Sequence, residues 1–226
     1  MGLLCINCGS PVNALFIQYS PGNISLTKCA KCKAVADEYI ECEIMILLID
    51  LILHKTKAFR HLFFNLLHLN KYGLQDLVWK AAIIFLLLDT CRQVVLNPSK
   101  LHSELSRSDL SMWIATGKIM ANTVLSNLLF FCILFIMVNS FKSKKENFEN
   151  SYMEVSMAIL FSSYFKIFIL AMMVWDFPSL TVYITDIFVM SSNAVALRVI
   201  TNSRMLESIG TSFICHLAKL LTQHMG

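Results

Sequence analysis

Charged side chains are scarce in this sequence. Asp, Glu, Lys and Arg make up 15% of the 226 residues, whereas 56% of the residues are hydrophobic. Soluble domains contain about 25% charged and about 45–50% apolar residues. This composition excludes a disordered chain and a collagen-like fibre, and it favours a protein embedded in a membrane.

A large excess of either charge is also missing. The formal net charge is +4, which is too small to attract a polyanion, so we expect no nucleic-acid partner. The sequence begins without the features of a secretory signal peptide, because residues 1–4 are neither basic nor a long apolar segment and Cys5 follows at once. We therefore expect the N-terminus to lie in the cytosol, where thiols stay reduced.

Half of the eight cysteines fall in the first 32 residues, at Cys5, Cys8, Cys29 and Cys32. They form two Cys-x2-Cys pairs separated by twenty residues, a spacing typical of four-thiolate zinc sites. Strand-like residues on both sides of a Ser-Pro-Gly-Asn turn join the two pairs, which predicts a zinc ribbon over residues 1–43. A zinc ion with four thiolate ligands has no open position and is structural. A thiol–disulfide centre and a disulfide-bonded head are the alternatives.

Long apolar runs fill most of the remaining chain. A helix needs about 20 residues to cross a bilayer. Four of the runs are long enough: residues 74–96, 119–138, 152–175 and 180–200. The fourth is the weakest, because it contains Asp186 and ends near Arg198. A buried or interfacial helix is the alternative for this segment. We therefore predict a mainly α membrane protein, with about four transmembrane helices over residues 74–200 after the small N-terminal β zinc ribbon.

Two other segments are predicted to lie at the membrane surface. A helix over residues 44–53 would be only about 15 Å long, half the thickness of the bilayer core. We interpret residues 44–73 as an interfacial helical segment, with a helix packed on the head as the alternative. In the tail, residues 201–226, apolar residues recur at three- and four-residue spacing from Met205 to Leu220. This spacing predicts an amphipathic helix lying on the membrane.

The distribution of basic residues predicts the orientation. With four spans, most of the 19 Lys and Arg residues lie on the side that carries the cysteine-rich head. Because cytoplasmic loops of membrane proteins are enriched in Lys and Arg, we expect both termini in the cytosol.

Ionisable residues inside the predicted spans form a second candidate site. The helical rise places Asp89 and Lys166 about 22 and about 21 Å from the cytosolic ends of parallel spans. Asp186 and Asn127 reach a similar depth from the other side, about 9 and about 12 Å from the lumenal end. We predict that Asp89 pairs with Lys166, because an unpaired charge at this depth is costly. The polar layer formed by these four residues either lines a path for a lipid headgroup or joins the helices structurally.

Four stretches between Cys5 and Asn65 carry a specific resemblance: CINCG, YSPGNISLTKCAKC, ADEYIECE and IDLILHKTKAFRHLFFN. They resemble the N-terminal homology domain of the Arv family (ACAT-related protein required for viability). The resemblance implies a multi-pass endoplasmic-reticulum membrane protein that supports sterol and sphingolipid transport and homeostasis. It also implies a role in delivering glycosylphosphatidylinositol-anchor intermediates, with membrane lipids and endoplasmic-reticulum proteins as partners.

Two groups of residues within this resemblance are candidates for headgroup or protein docking: Asp37, Tyr39 and Glu41, and then Lys55, Lys57 and Arg60. The acidic group has an alternative role, since acidic residues at a helix N-terminus offset the helix dipole. The basic group also has an alternative role, since basic residues beside an apolar helix anchor that helix on the cytosolic side. His54, His61 and His68 recur every seven residues, too far apart on a helix to share a metal, and are expected on an interfacial face.

No sequence feature supplies a nucleophile–base pair, a phosphate-binding loop or an open metal site, so we expect no enzymatic activity. One alternative function is a membrane-tethered adaptor, in which the zinc ribbon recruits a protein partner and the spans serve as an anchor. A lipid-modifying enzyme acting within the membrane is the other alternative.

Overall fold

The computed structural model describes residues 2–67, 74–96, 109–142, 151–175, 178 and 180–225. The chain forms two compact units, Met1–Leu77 and Val78–Gly226. The elements of the first unit are β1 (Phe16–Ser20), β2 (Asn23–Leu26), α1 (Ile44–Ile52) and α2 (Thr56–Arg60), which continues as a π-helical turn (His61–Leu66). Helix α3 (Leu74–Leu96) begins at the end of this unit.

The regular secondary structure of the second unit is helical in its described residues. After α3 it contains α4 (Asp109–Lys142), α5 (Ser151–Ser162), a 3-10 turn (Ser163–Ile167), α6 (Phe168–Val174), α7 (Leu180–Thr201) and α8 (Met205–Met225). Its hydrophobic core is contributed by α4, α5, α7 and α8 and consists of Phe130, Leu134, Val138, Val155, Ile159, Leu197 and Cys215.

A short hairpin connects the two cysteine pairs, as predicted. Strands β1 and β2 are antiparallel, with Phe16 opposite Leu26. Strand β1 begins at Phe16, and the preceding segment is held separately, because the backbone N–H of Val12 donates to the carbonyl of Leu3 at 3.0 Å.

Each cysteine pair forms a tight turn closed by a residue with positive φ. Gly9 has φ 71° and Lys33 has φ 62°. The N–H of Gly9 donates to the carbonyl of Cys5 at 2.8 Å, and the N–H of Lys33 donates to the carbonyl of Cys29 at 2.9 Å. The second turn therefore adopts the geometry of the first although it lacks the glycine that favours such a φ value.

A buried carboxylate joins the ribbon to the helices of the first unit. Asp37 is completely buried and lies 2.7 Å from Nδ1 of His61. It accepts hydrogen bonds from Nδ2 of Asn65 at 2.5 Å and from the backbone N–H of Tyr39 at 3.0 Å. Asn65 also pairs with both backbone groups of Leu4 at 3.0 Å. Asp37 and Asn65 together therefore tie the segment before the first cysteine turn to the π-helical turn.

The predicted interfacial face of histidines is wrong for His61, which belongs to this buried network. The regular seven-residue spacing does not lie on one helix, because His54 has φ 54° and separates α1 from α2. His68 lies outside the described residues.

Among the described residues, three helical segments are long and apolar enough to cross a membrane: Thr116–Ser140, Tyr152–Ala171 and Leu180–Thr201. The predicted span over residues 180–200, the weakest of the four, is therefore among these three segments. The first predicted span forms α3 with the predicted bounds, but it is not among the three, because it carries Asp76, Lys80, Asp89 and Arg92.

The tail forms the predicted amphipathic helix, α8, which packs against α4 and α7 rather than lying alone. Its buried face is largely polar and consists of Ser208, Thr211, Ser212, Cys215 and Lys219. Its apolar face is exposed and includes Met205, Ile209, Phe213 and Leu217. A polar face turned inward and an apolar face turned outward suit a helix that is surrounded by lipid.

The Asp37 network generates a stability prediction. Replacing Asp37 with Ala leaves the buried donors of His61 and Asn65 without their acceptor, which should cost about 1–3 kcal/mol for each unsatisfied group. We expect the first unit of the purified full-length Asp37→Ala protein to be cleaved faster in limited proteolysis. The exposed Glu41 provides the control, because Glu41→Ala removes an acidic group that is not buried. Equal cleavage of the two variants would show that the network contributes no stability.

Candidate metal centre and a buried charge cluster

The two cysteine turns bring four thiols together. The Sγ atoms of Cys5, Cys8, Cys29 and Cys32 all lie within 4.8 Å of one another. Cys5 and Cys32 are 3.7 Å apart, and Cys8 and Cys29 are 3.6 Å apart. A tetrahedral zinc ion with Zn–S bonds of about 2.3 Å separates its sulfur ligands by about 3.8 Å. The four thiols therefore fit a metal ion with tetrahedral coordination.

Ser10 is a neighbour of this site that no sequence pattern predicted. Its Oγ lies 2.9 Å from Sγ of Cys8 and 3.2 Å from Sγ of Cys29. The Ser10 hydroxyl is the main cause that lowers the pKa of Cys29 to about 6, and it also lowers the pKa of Cys8. Burial raises the pKa of Cys5 to about 11. Thiolates, the form that binds a metal, are thus favoured at Cys8 and Cys29.

The acidic docking candidates are divided between the interior and the surface. Asp37 is completely buried and Tyr39 is 7% exposed. The hydroxyl of Tyr39 donates to Oδ2 of Asp50 at 2.7 Å, and burial, followed by this carboxylate, raises the pKa of Tyr39. The docking prediction is therefore wrong for Asp37 and Tyr39, because buried side chains cannot contact a headgroup or a partner. Glu41 is exposed.

The basic docking candidates also differ in whether their charges are available at the surface. Lys55 is exposed and pairs with Asp50 at 2.7 Å, which is the main cause that lowers the pKa of Asp50. Lys57 pairs with Glu38 at 3.3 Å, and both side chains are about half exposed. Arg60 instead donates from Nη1 to the carbonyls of residues 6 and 7, at 2.9 and 3.0 Å. Arg60 therefore holds α2 against the first cysteine turn, and only the two lysines present their charges at the surface.

A second cluster forms inside the helical unit around Asp89, which is completely buried. Its Oδ1 accepts a hydrogen bond from Nζ of Lys166 at 2.7 Å, the contact that the depth estimate predicted. Its Oδ2 accepts a second hydrogen bond from Nζ of Lys219 in α8 at 2.5 Å. Lys219 was not predicted as a partner of Asp89, because the apolar stripe of the tail predicted a helix at the membrane surface.

One turn further along α3, Arg92 holds the second carboxylate. Its Nε and Nη2 donate to Asp186 of α7 at 2.9 and 2.5 Å. Its Nη1 donates to Oε1 of Gln223 in α8 at 2.8 Å. Asp186 thus has a partner of its own within the predicted polar layer. Asn127 is buried, but its side chain donates to the carbonyl of residue 123 in its own helix, and it does not line the cavity described next.

A cavity of about 270 Å³ connects the two ion pairs. Its charged wall is formed by Asp89, Arg92, Lys166, Asp186 and Lys219. The wall therefore contains three basic side chains and two carboxylates. Apolar side chains of α7 and α8 complete the lining, together with His216 and Gln223.

An aromatic ring lies under the two ammonium groups. Nζ of Lys166 is 3.4 Å from the ring centroid of Phe85, and Nζ of Lys219 is 5.1 Å from the same centroid. The negative face of an aromatic ring attracts a cation at these distances. Phe85 therefore helps to hold both lysines beside Asp89.

These features define a helical membrane protein with a four-cysteine candidate metal site in its N-terminal unit. The chain belongs to the Arv1-like family, whose family model matches residues 4–197. The resemblance seen in the first 65 residues is confirmed, and the match extends through two candidate spans and most of the third.

Similar proteins from several eukaryotes cover nearly the whole chain. Protein ARV 2 of Arabidopsis thaliana is 42% identical over 222 residues, which are 98% of this chain and 94% of that protein. The Protein arv1 homolog of Dictyostelium discoideum is 30% identical over 236 residues, with coverage of 98% and 94%. Protein ARV1 of Homo sapiens is 28% identical over 225 residues, with coverage of 97% and 78%. No solved structure matches the chain.

Metal content tests the four-thiol site. We expect about one zinc ion per chain in the purified protein, because closed four-thiolate sites bind zinc tightly. Cys29→Ser should lose this zinc, whereas Cys42→Ser should keep it, since Cys42 lies outside the cluster. Elemental analysis of the three proteins provides the measurement. Substantially less than one zinc per wild-type chain, or equal zinc in both variants, would exclude the site.

Charge reversal tests the buried cluster. Asp89→Lys should abolish the monodisperse peak in size-exclusion chromatography, because it leaves three buried cations together. Adding Lys166→Asp should restore the peak, because one carboxylate again lies between two ammonium groups. The matched control is Lys118→Asp, which reverses an exposed charge on α4. A double variant that behaves no better than Asp89→Lys would contradict the pairing.

Proposed function

We propose that this protein supports intracellular sterol and sphingolipid transport and homeostasis at the endoplasmic-reticulum membrane, without catalysing a reaction. Delivery of glycosylphosphatidylinositol-anchor intermediates belongs to the same proposed role. Membership of the Arv1-like family supports this proposal. The observation that carries it is the cavity, which combines a charged wall with apolar residues on the outer faces of α7 and α8. Such a cavity suits an amphiphilic ligand.

In the proposed protein, Cys5, Cys8, Cys29 and Cys32 bind a structural zinc ion. The ion would hold the two cysteine turns together, and its four thiolate ligands leave no position for a substrate. The chain itself holds the turns through the Asp37 network and through Arg60. The zinc therefore stabilises the first unit in this proposal and takes no part in chemistry.

The charge cluster supports a refined topology. Lys166 lies in the candidate span Tyr152–Ala171, about 21 Å from its start. Asp89 of α3 and Lys219 of α8 are directly hydrogen-bonded in this cluster, so they lie at the same depth. We infer that α3 and α8 are embedded in the membrane together with the three apolar helices. This arrangement keeps the N-terminus cytosolic but moves the C-terminus to the lumen.

The basic residues are compatible with this topology. Arg198 and Arg204 flank the short connection between α7 and α8, which stays on the cytosolic side. Lys219, the other basic residue of the tail, is buried in the cluster. The refined topology therefore keeps the excess of Lys and Arg in the cytosol.

Helix α1 supports membrane contact by the first unit. Its exposed apolar residues include Ile44, Met45 and Ile49, which are 70, 58 and 51% exposed. The exposed Lys55 follows directly after this helix. An exposed apolar helix beside basic residues suits the surface of an anionic membrane.

The membrane-tethered adaptor is the second candidate function. The observation that favours it is the compactness of the first unit, which contains the cysteine site and its supporting network. An adaptor would use this unit to bind an endoplasmic-reticulum protein, and its helices would serve as an anchor.

Cells that lack their own family member distinguish the two candidates. We expect the full chain to restore the distribution of sterol between the endoplasmic reticulum and the plasma membrane, measured with a sterol-binding probe. Residues 1–77 attached to an unrelated membrane anchor should fail, because they lack the charged cavity. Restoration by the anchored head would favour the adaptor. Conversion of a labelled lipid by the purified full chain would contradict a non-enzymatic role.

A further inference from the structure

We propose that the cavity between α3, the 3-10 turn, α7 and α8 binds the phosphodiester headgroup of an anionic membrane lipid, with Lys166 and Lys219 as its ligands. This inference rests on the proposed lipid function, and it specifies the headgroup chemistry that the cavity selects. Three observations carry it: an excess of basic over acidic side chains in the cavity wall, an apolar opening and the depth of the cluster.

The first observation is the charge balance of the cavity wall. Arg92 and Asp186 neutralise each other in a two-point ion pair, and the remaining terminal nitrogen of Arg92 is bound to Gln223. The carboxylate of Asp89 is shared by Lys166 and Lys219. One carboxylate neutralises only one of the two ammonium groups. With both lysines protonated, the cavity therefore has one excess positive charge.

The two lysines also retain hydrogen-bonding capacity. An ammonium group has three N–H donors, and a single hydrogen bond to Asp89 is described for each of these two side chains. Lys166 is 3% exposed and Lys219 is 5% exposed, so bulk water has little access to them. A buried excess charge is costly inside a membrane. One bound anion would remove this cost and accept the remaining N–H donors.

The second observation is the opening of the cavity. Tyr183, Ile187 and Phe213 line it and are 45, 60 and 51% exposed, so the cavity reaches the surface between α7 and α8. Helix α7 is one of the candidate spans, and its exposed face therefore meets hydrocarbon. A lipid can place its headgroup against the lysines while its acyl chains remain among these apolar side chains.

The third observation is the depth of the charged groups. Asp89 lies about 10 Å before the end of α3, Asp186 about 9 Å after the start of α7, and Lys219 about 9 Å before the end of α8. Because Asp89 and Lys219 are in direct contact, these helix ends lie near the same side of the bundle. The cluster therefore lies about 9–10 Å inside one membrane surface and is nearer to that surface than to the opposite one, and a headgroup reaches it by an inward displacement of that length.

Lipid binding by the purified full chain in detergent micelles tests this proposal. The probes are phosphatidylglycerol, diacylglycerol with the same acyl chains, and inorganic phosphate, and native mass spectrometry measures the bound fraction. We expect phosphatidylglycerol to bind at least about tenfold more tightly than diacylglycerol, because only phosphatidylglycerol carries the anion. Equal binding of the two lipids would overturn the proposal. Inorganic phosphate that binds as tightly as phosphatidylglycerol would overturn the assignment to a lipid.

The variants Lys219→Gln and Lys219→Arg identify the ligand. Lys219→Gln removes the excess charge but leaves the Asp89–Lys166 pair neutral, so we expect the protein to fold and phosphatidylglycerol affinity to fall about tenfold or more. Lys219→Arg keeps the charge and should keep the affinity. Arg204→Gln, which removes an exposed cation at the other end of α8, is the control. Unchanged affinity in Lys219→Gln would overturn the proposal. If this variant does not fold, the lipid comparison with wild-type protein and Lys219→Arg decides.

The sterol distribution assay separates this inference from the proposed function. If Lys219→Gln loses phosphatidylglycerol binding but restores sterol distribution, the anion site stands and the cavity is excluded from sterol transport. If wild-type protein shows no preference for phosphatidylglycerol but restores sterol distribution, the proposed function stands and the anion site is wrong.

Discussion

The helical unit depends on one carboxylate, Asp89, which two lysines share. Its partners come from the 3-10 turn and from α8, so a single side chain connects three distant segments of the chain. In a low-dielectric bundle these charges interact strongly, and each is costly when it lacks a partner. The need to bring the three groups together therefore constrains how α3 and α8 pack. It also explains why α8 buries its polar face, since Lys219 projects from that face.

In the N-terminal unit, too, a buried carboxylate has hydrogen-bond partners for its oxygens. Asp37 is buried, and its oxygens are satisfied by His61, Asn65 and a backbone N–H. Arg60 satisfies carbonyls of the first cysteine turn in a similar way. Both interactions hold the ribbon against the helices that follow it. The four thiols therefore lie on a scaffold that polar side chains position from outside the cysteine turns.

Local patterns predicted a large part of this arrangement. The Cys-x2-Cys spacing and the turn between the strands predicted the four-thiol site and its hairpin, because both depend on residues close in sequence. The depth estimate paired Asp89 with Lys166, because a helix has a constant rise per residue. It missed Lys219, because the apolar stripe of the tail is compatible with a surface helix and with a helix packed in a bundle. Arg92 was missed as the partner of Asp186 because rise alone does not specify which helix faces meet.

Composition, spacing and periodicity are local properties, and they predicted the membrane character, the four-cysteine cluster, the hairpin and the positions of most helices. The accessibility of the docking candidates depends instead on packing: Asp37 and Tyr39 are buried and bonded to side chains that come later in the chain. The tertiary structure also decided the ion pairs, the orientation of α8 and the cavity. The physical reason is that partners of buried charges are chosen by helix packing, and packing brings together residues such as Asp89 and Lys219 that are 130 positions apart.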